Sequence, residues 1–207
     1  MLKPAIRILI VAALCVAGLI ALIVRESMAR VSGYEVAFAM EAVDPRSLLS
    51  GHYVILNLQT RRPAGACEAF ANAPANAGWL AISDVGSEYR VAPLAGAPAP
   101  YAPIGSFATR EEAARAGQYA VRGAAYCGET TFGDTQAPVA IVTTRLHGVD
   151  RFHINQAEAE RIERVMFDQQ PGEEARVFAV VAIGRADGVA RLKGLIVDGE
   201  RFELSWL

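Results

Sequence analysis

The hydrophobic pattern divides the chain near its start. An uninterrupted apolar run, Ile8 to Val24, is flanked by Lys3 and Arg7 on one side and Arg25 and Arg30 on the other. Its 17 residues carry no charge, and as a helix they span about 26 Å, close to the thickness of a bilayer core. A helix apolar on every face has no side to offer to water, which argues against a buried soluble helix. Past Arg30 the pattern changes to a period of two. Tyr34 to Met40 alternates as a strand with Tyr34, Val36 and Phe38 on one face. Asp44-Pro45 starts a turn, because proline fixes φ and pushes the preceding residue out of the helical region. Gly51 opens Tyr53-Val-Ile-Leu-Asn-Leu58, which predicts a buried strand. Tyr53, Ile55 and Asn57 would share one face, and Val54, Leu56 and Leu58 the other.

The remaining pattern predicts mostly strands. Arg61 to Gly78, rich in Ala, Pro, Gly and Asn, reads as a loop. Trp79 to Ser83 and Tyr89 to Ala92 read as short strands around Asp84-Val-Gly86. Pro93, Pro98, Pro100 and Pro103 make the stretch up to residue 103 a rigid extended connection that no helix or inner strand crosses. Thr109-Arg-Glu-Glu112 is a capping box that starts a short helix, ended by Gly117. Tyr119 to Tyr126 and Val139 to Leu146 form a ribbon whose long tip is the loop from Cys127 to Pro138. Phe152 to Ile154 is short and extended. Asn155 to Glu158 repeats the capping logic and starts a helix to about Phe167, with Ile162, Val165 and Met166 as its apolar stripe. Pro171-Gly172 stops it. The strands Ala175 to Ile183, Val189 to Val197 and Arg201 to Trp206 follow, separated by Ala186-Asp187-Gly188 and Asp198-Gly199. The expected class is α+β: a mostly antiparallel β domain with two short helices, preceded by one N-terminal transmembrane helix. Residues 1–30 would be the membrane anchor and 31–207 an extracytoplasmic β-rich domain.

The residues Val43-Asp44-Pro45-Arg46, with Gly51-x-Tyr53-x-x-Leu56 after them, resemble the signature of the bacterial GDYXXLXY protein family. His52 stands where the family has Asp, and Leu58 where it has the final Tyr. Arg151-Phe152-His153-Ile154 through Arg161, and Gly188 to Gly199, resemble the family's C-terminal half. The resemblance implies an N-terminal membrane segment followed by a β-rich domain, with no established activity. It also implies the company of multi-spanning membrane proteins. Asp44, Pro45, Arg46, Gly51, His52, Tyr53 and Leu56 are the signature positions, and an architectural role is expected of them. Gly51 would admit a backbone that other residues resist, Tyr53 would bury its ring, and His52 would face outward.

Composition narrows the partners. A net charge of −2 gives no basic field, so nucleic-acid binding has no electrostatic footprint. The 53% hydrophobic and 20% charged residues argue against overall disorder. Ser27-Met28-Ala29 offers a small-x-small cleavage site, but Arg25 and Glu26 crowd it and the apolar run exceeds a usual signal core. Leu14 before Cys15 is wrong for a lipoprotein. An uncleaved signal anchor in the bacterial inner membrane is therefore expected. Lys3 and Arg7 balance Arg25 and Arg30, so charge leaves orientation open. The short N-terminal tail and the cysteines favour a periplasmic domain. Of three cysteines, Cys15 sits in the apolar run, while Cys67 and Cys127 lie beyond it. In an oxidising compartment Cys67 and Cys127 would close a loop of about 61 residues, contributing on the order of 4 kcal/mol. Two free thiols are the alternative.

Chemistry-bearing residues are few. His147 and His153 flank Gly148-Val149-Asp150, and with Asp150 or Asp44 they sketch a metal site, yet no helical i, i+4 pair or Cys-x-x-Cys supports it. Lys193, the only lysine beyond Lys3, is the sole candidate base for a serine nucleophile, but it reads as an outward-facing charge on a strand. Gly-rich phosphate loops and Gly-x-Ser-x-Gly are absent. No catalytic set, metal or cofactor is expected. The favoured reading is a membrane-tethered domain that binds or scaffolds another membrane or envelope protein. The rival is an envelope hydrolase or metal-dependent enzyme using His52, His147, His153 or Lys193.

Overall fold

The computed structural model describes residues 4–41, 53–85, 100–131, 138–149, 151–153, 156–168 and 176–203. In chain order the elements are α1 (Pro4–Ser32), β1 (Tyr34–Ala39), β2 (Tyr53–Ile55), β3 (Leu58–Pro63), α2 (Glu68–Ala71), β4 (Trp79–Asp84), β5 (Tyr101–Phe107), α3 (Arg110–Ala116), β6 (Tyr119–Thr130), β7 (Val139–Leu146), β8 (Arg151–His153), α4 (Gln156–Asp168), β9 (Val177–Ile183), β10 (Ala190–Val197) and β11 (Glu200–Glu203). The fold is α+β and mostly antiparallel, as the alternation of apolar positions predicts.

Helix α1 extends past both ends of the charge-free run, and its 29 residues rise about 43 Å. Its apolar side chains lie bare: Leu9 is 71% exposed, Leu14 67% and Ile23 65%. Among the described residues it is the one helix long and apolar enough to cross a membrane. Gly33 turns the chain directly into β1. A Cβ there would stand 3.0 Å from both the Ala182 Cβ and the Ile183 carbonyl oxygen, so its absence lets the helix end press on β9.

Strands β1, β9, β10 and β11 form a four-stranded antiparallel sheet in the order β1-β9-β10-β11. Every residue of β9 is buried, because this inner strand is covered on both faces. Phe38, Val181 and Leu195 face the main core, together with Leu58, Leu80, Ile82 and Val121 of the other sheet and Ile162 and Met166 of α4. Ala37, Phe178, Val180 and Ile196 face a second cluster closed by Val85 and Ala102. The second sheet has five strands in the order β3-β7-β6-β4-β5. On it, Ala113 of α3 packs against Ala81 and Ala120 in a third apolar cluster. Isolated bridges Met40↔Leu58 and Ala37↔Pro100 join the β1 chain to both edges of this sheet.

The structure departs from the sequence pattern at several places. The single strand expected from Tyr53 to Leu58 is two. Tyr53–Ile55 pairs with β8, while Leu58 onward pairs with β7, and the chain changes partner at Leu56-Asn57. The expected loop after Arg61 begins as strand, since β3 runs to Pro63, and contains the short helix α2. Cys127 lies within β6 rather than in a loop. Strand β4 pairs with β5 and β6, and the strand expected at Tyr89 to Ala92 lies outside the described residues. Pro103 sits in β5, an edge strand, beside a register shift between Ala81 and Ile82. A proline is accommodated there because an edge position spares one ladder donor. The Thr109 capping box is formed as expected, its hydroxyl accepting from the Glu112 N–H while the Glu112 side chain accepts from the Thr109 N–H. In α4, Ile162 and Met166 are buried and Val165 packs beside them, which is the predicted stripe. Asn155, Pro171 and Gly172 lie outside the described residues.

Candidate functional site

Of the signature positions, Asp44, Pro45, Arg46, Gly51 and His52 lie outside the described residues. Tyr53 occupies β2 in register with His153 of β8. Leu56 is buried in the main core, where the chain passes between sheets. Cys67 and Cys127 form a disulfide with Cα atoms 5.3 Å apart, joining the start of α2 to β6. His147 is exposed after β7, its main-chain N–H donating to the Arg122 carbonyl at 3.3 Å. His147 and His153 thus stand on different elements. Among the described residues, no group of three or more His, Cys, Asp and Glu side chains is placed to hold a metal. Asp44, His52 and Asp150 are outside that set.

Lys193 falls at an irregularity in β10, between Leu192↔Val181 and Gly194↔Val180 in the ladder with β9. The extra residue re-aims the side chain. Its Nζ meets Glu35 Oε2 at 2.5 Å, and Arg201 Nη1 meets Glu35 Oε1 at 2.6 Å. Glu35 therefore sits between two cations from β10 and β11. The Arg201 hydrogen bond is the largest influence on its carboxyl, which is held down at about 2 against a smaller opposing cost of burial. Lys193 is the outward charge the sequence predicts, committed to an ion pair rather than aimed at a nucleophile.

A second ionic cluster clasps the helix to the domain. Arg191 at the start of β10 donates from Nε to Glu26 of α1 at 3.0 and 3.1 Å. Its Nη2 donates to Asp187 Oδ2 at 2.9 Å. The Arg191 bond is the largest influence on Asp187 and holds its carboxyl below the ordinary range. Arg191 in turn is pushed above the usual guanidinium value, chiefly by Asp187. Arg185 Nε donates to the Ser32 carbonyl at 2.8 Å, which caps the last turn of α1. The Arg185 guanidinium lies 4.5 Å from the centre of the Tyr34 ring, which stacks on Tyr119 at 4.6 Å. Tyr101 completes the row 5.7 Å from Tyr119. Burial, with Tyr119 as the next cause, pushes the Tyr101 hydroxyl up to about 12.

Neither ionic cluster is legible as a site in the sequence. Asp187 and Arg191 share an i, i+4 spacing around a turn, which is a weak signal. Glu26–Arg191 and Glu35–Arg201 join residues more than 150 positions apart, and only the fold brings them together. The arrangement fixes a helix to a sheet by charge. It offers no nucleophile beside a base among the described groups.

Among the described residues, these features define an α+β domain continuous with one N-terminal apolar helix. The chain belongs to the GDYXXLXY protein family, whose family model matches residues 15–195. The match begins within α1 and ends in β10, so it takes in both helix and domain. No curated protein and no solved structure matches the chain.

Proposed function

We propose that the protein is a single-pass membrane-tethered domain, standing on the periplasmic side of an inner membrane, that binds or scaffolds another membrane or envelope protein. The observation that carries this is the bare apolar helix clasped to the domain through Glu26–Arg191 and Arg185–Ser32. Exposed apolar surface on this scale is stable only against lipid or another protein. A domain clasped to its helix is held at one height and angle above the bilayer, which suits a fixed docking partner. The Cys67–Cys127 disulfide favours an oxidising compartment for the domain.

The test combines topology with partnership. In intact spheroplasts the Cys67–Cys127 pair should react with a membrane-impermeant thiol reagent only after reduction. Mild cross-linking followed by detergent purification should then recover one stoichiometric membrane protein. A pair that is free and sealed inside refutes the periplasmic placement. A chain that purifies alone with a tightly held metal ion supports the enzymatic rival instead.

A further inference from the structure

We propose that the turn between β9 and β10, with the arginines gathered around it, is a docking surface for the phosphate layer of an anionic lipid bilayer. This rests on the tether reading above, since the helix must be embedded to bring the turn to the lipid.

Height comes first. Glu26, gripped by Arg191, lies two residues past Val24, about 3 Å of helix rise beyond the end of the apolar run. Ser32, whose carbonyl accepts from Arg185, lies about 12 Å beyond it. The headgroup layer adds roughly 5–8 Å to each side of the hydrocarbon core. The turn held between these two contacts therefore spans the phosphate layer and the water just above it.

Charge comes second. Arg110 donates from Nη1 to the Ala186 carbonyl at 2.6 Å and from Nη2 to the Arg185 carbonyl at 2.5 Å. Arg122 donates from Nε to the Asp187 carbonyl at 3.3 Å. Carbonyl oxygens satisfy these donors without neutralising them. Among the described residues, Arg110, Arg122 and Arg185 have no carboxylate partner, whereas Arg191 has two. Three uncompensated cations thus crowd one turn of a chain whose net charge is −2.

Ring placement agrees. Trp79 lies under Arg122 at 4.9 Å and Arg110 at 6.0 Å, and Tyr34 under Arg185. Gly188 has φ +63°, and a Cβ there would come within 2.4 Å of the Trp79 ring, so the turn is moulded against the indole. Tryptophan and tyrosine beside cations are the side chains that settle at a bilayer interface. An acidic protein is the other ligand of this chemistry, but it would have to displace headgroups already held at the turn by the tether.

The experiment uses the full chain in nanodiscs of pure phosphatidylcholine and of an equal mixture of phosphatidylcholine and phosphatidylglycerol. Amide hydrogen exchange is read over residues 184–189 and 110–116. Exchange should be slower in the anionic discs and return to the zwitterionic rate at high salt. Arg122→Gln and Arg185→Gln should each remove about fivefold of that protection, and Arg→Lys at the same positions should keep it. Unchanged exchange in β9 shows that each variant is folded, and the wild-type comparison stands without the variants. Equal exchange in the two discs overturns docking, as does protection that appears only when polyglutamate is added to zwitterionic discs. Alkaline carbonate extraction scores the tether separately. A chain that stays embedded without lipid dependence loses docking alone, and a chain that is stripped loses both.

Discussion

Replacing Glu35 by glutamine tests how the ion pairs hold the four-stranded sheet. The carboxylate is gripped by Lys193 at 2.5 Å and by Arg201 at 2.6 Å, so β1 is tied by charge across β9 to β10 and β11. Its carboxyl titrates at about 2 rather than the ordinary 4.5. The gap between these values corresponds to about 3 kcal/mol when fully expressed. The Glu35 side chain is 29% exposed, so solvent screens the pair, and about 1–2 kcal/mol is the expected loss. The sign follows from the direction. A carboxyl depressed by folding stabilises the protein above about pH 4.5, and that contribution is lost as pH falls toward 2. Denaturant unfolding of the full chain in non-ionic detergent, followed by tryptophan fluorescence, should show Glu35→Gln less stable at pH 7. The difference should narrow steadily as both proteins are acidified. Other carboxylates titrate in both chains and cancel in the comparison. A difference that stays constant from pH 7 to pH 2.5, or that grows on acidification, refutes the ionic account.

Replacing both Cys67 and Cys127 by serine should lower stability by about 4 kcal/mol, because the bridge closes a 60-residue separation; urea midpoints under oxidising conditions measure it. Gly188→Ala forces a side chain onto a left-handed backbone and into the Trp79 ring, so a loss of about 1–3 kcal/mol is expected, with a shifted tryptophan emission maximum. Leu195→Ala empties a fully buried position in the main core and should cost about 2–5 kcal/mol by thermal denaturation. Tyr53→Ala should cost about 3–5 kcal/mol and His52→Ala less than about 0.5 kcal/mol. If His52→Ala keeps its melting temperature but loses the cross-linked partner, the signature is a binding site rather than architecture.

Local chemistry explains which parts of this fold are legible in the chain. The Thr109 box and the Gly117 stop act within one helical turn, so short-range residues suffice to place α3. The alternation through β7 and the Asp198-Gly199 turn are likewise local, and both carry into the structure. The break at Leu56-Asn57 is not local. Both halves of that run favour extended backbone, and only the partners β8 and β7 tell them apart. Strand β5 hides because Pro103 reads as a breaker, while an edge position tolerates it. The disulfide was open to the compartment argument, since two cysteines beyond the apolar run have one possible mutual pairing. The clasp around Arg191 was not, because Glu26 belongs to a helix whose composition speaks of lipid alone.

The pairing of β1 sets the timing of folding. Tyr34 pairs with Ile183, so the first strand after the helix waits for a partner made long after it. At about 5–20 residues per second, synthesis of the intervening segment takes roughly 7 to 30 s. Throughout that interval Val36, Phe38 and Met40, all buried in the finished domain, have no sheet to enter. The other bridges of this segment, Met40↔Leu58 and Ala37↔Pro100, form earlier but are single bridges rather than a ladder. Loop closure over such separations is slow, and assembly of the four-stranded sheet accordingly follows synthesis of the whole intervening segment. The nascent domain is thus most exposed to aggregation before β9 emerges, and truncations that end ahead of Val177 should accumulate as insoluble chains.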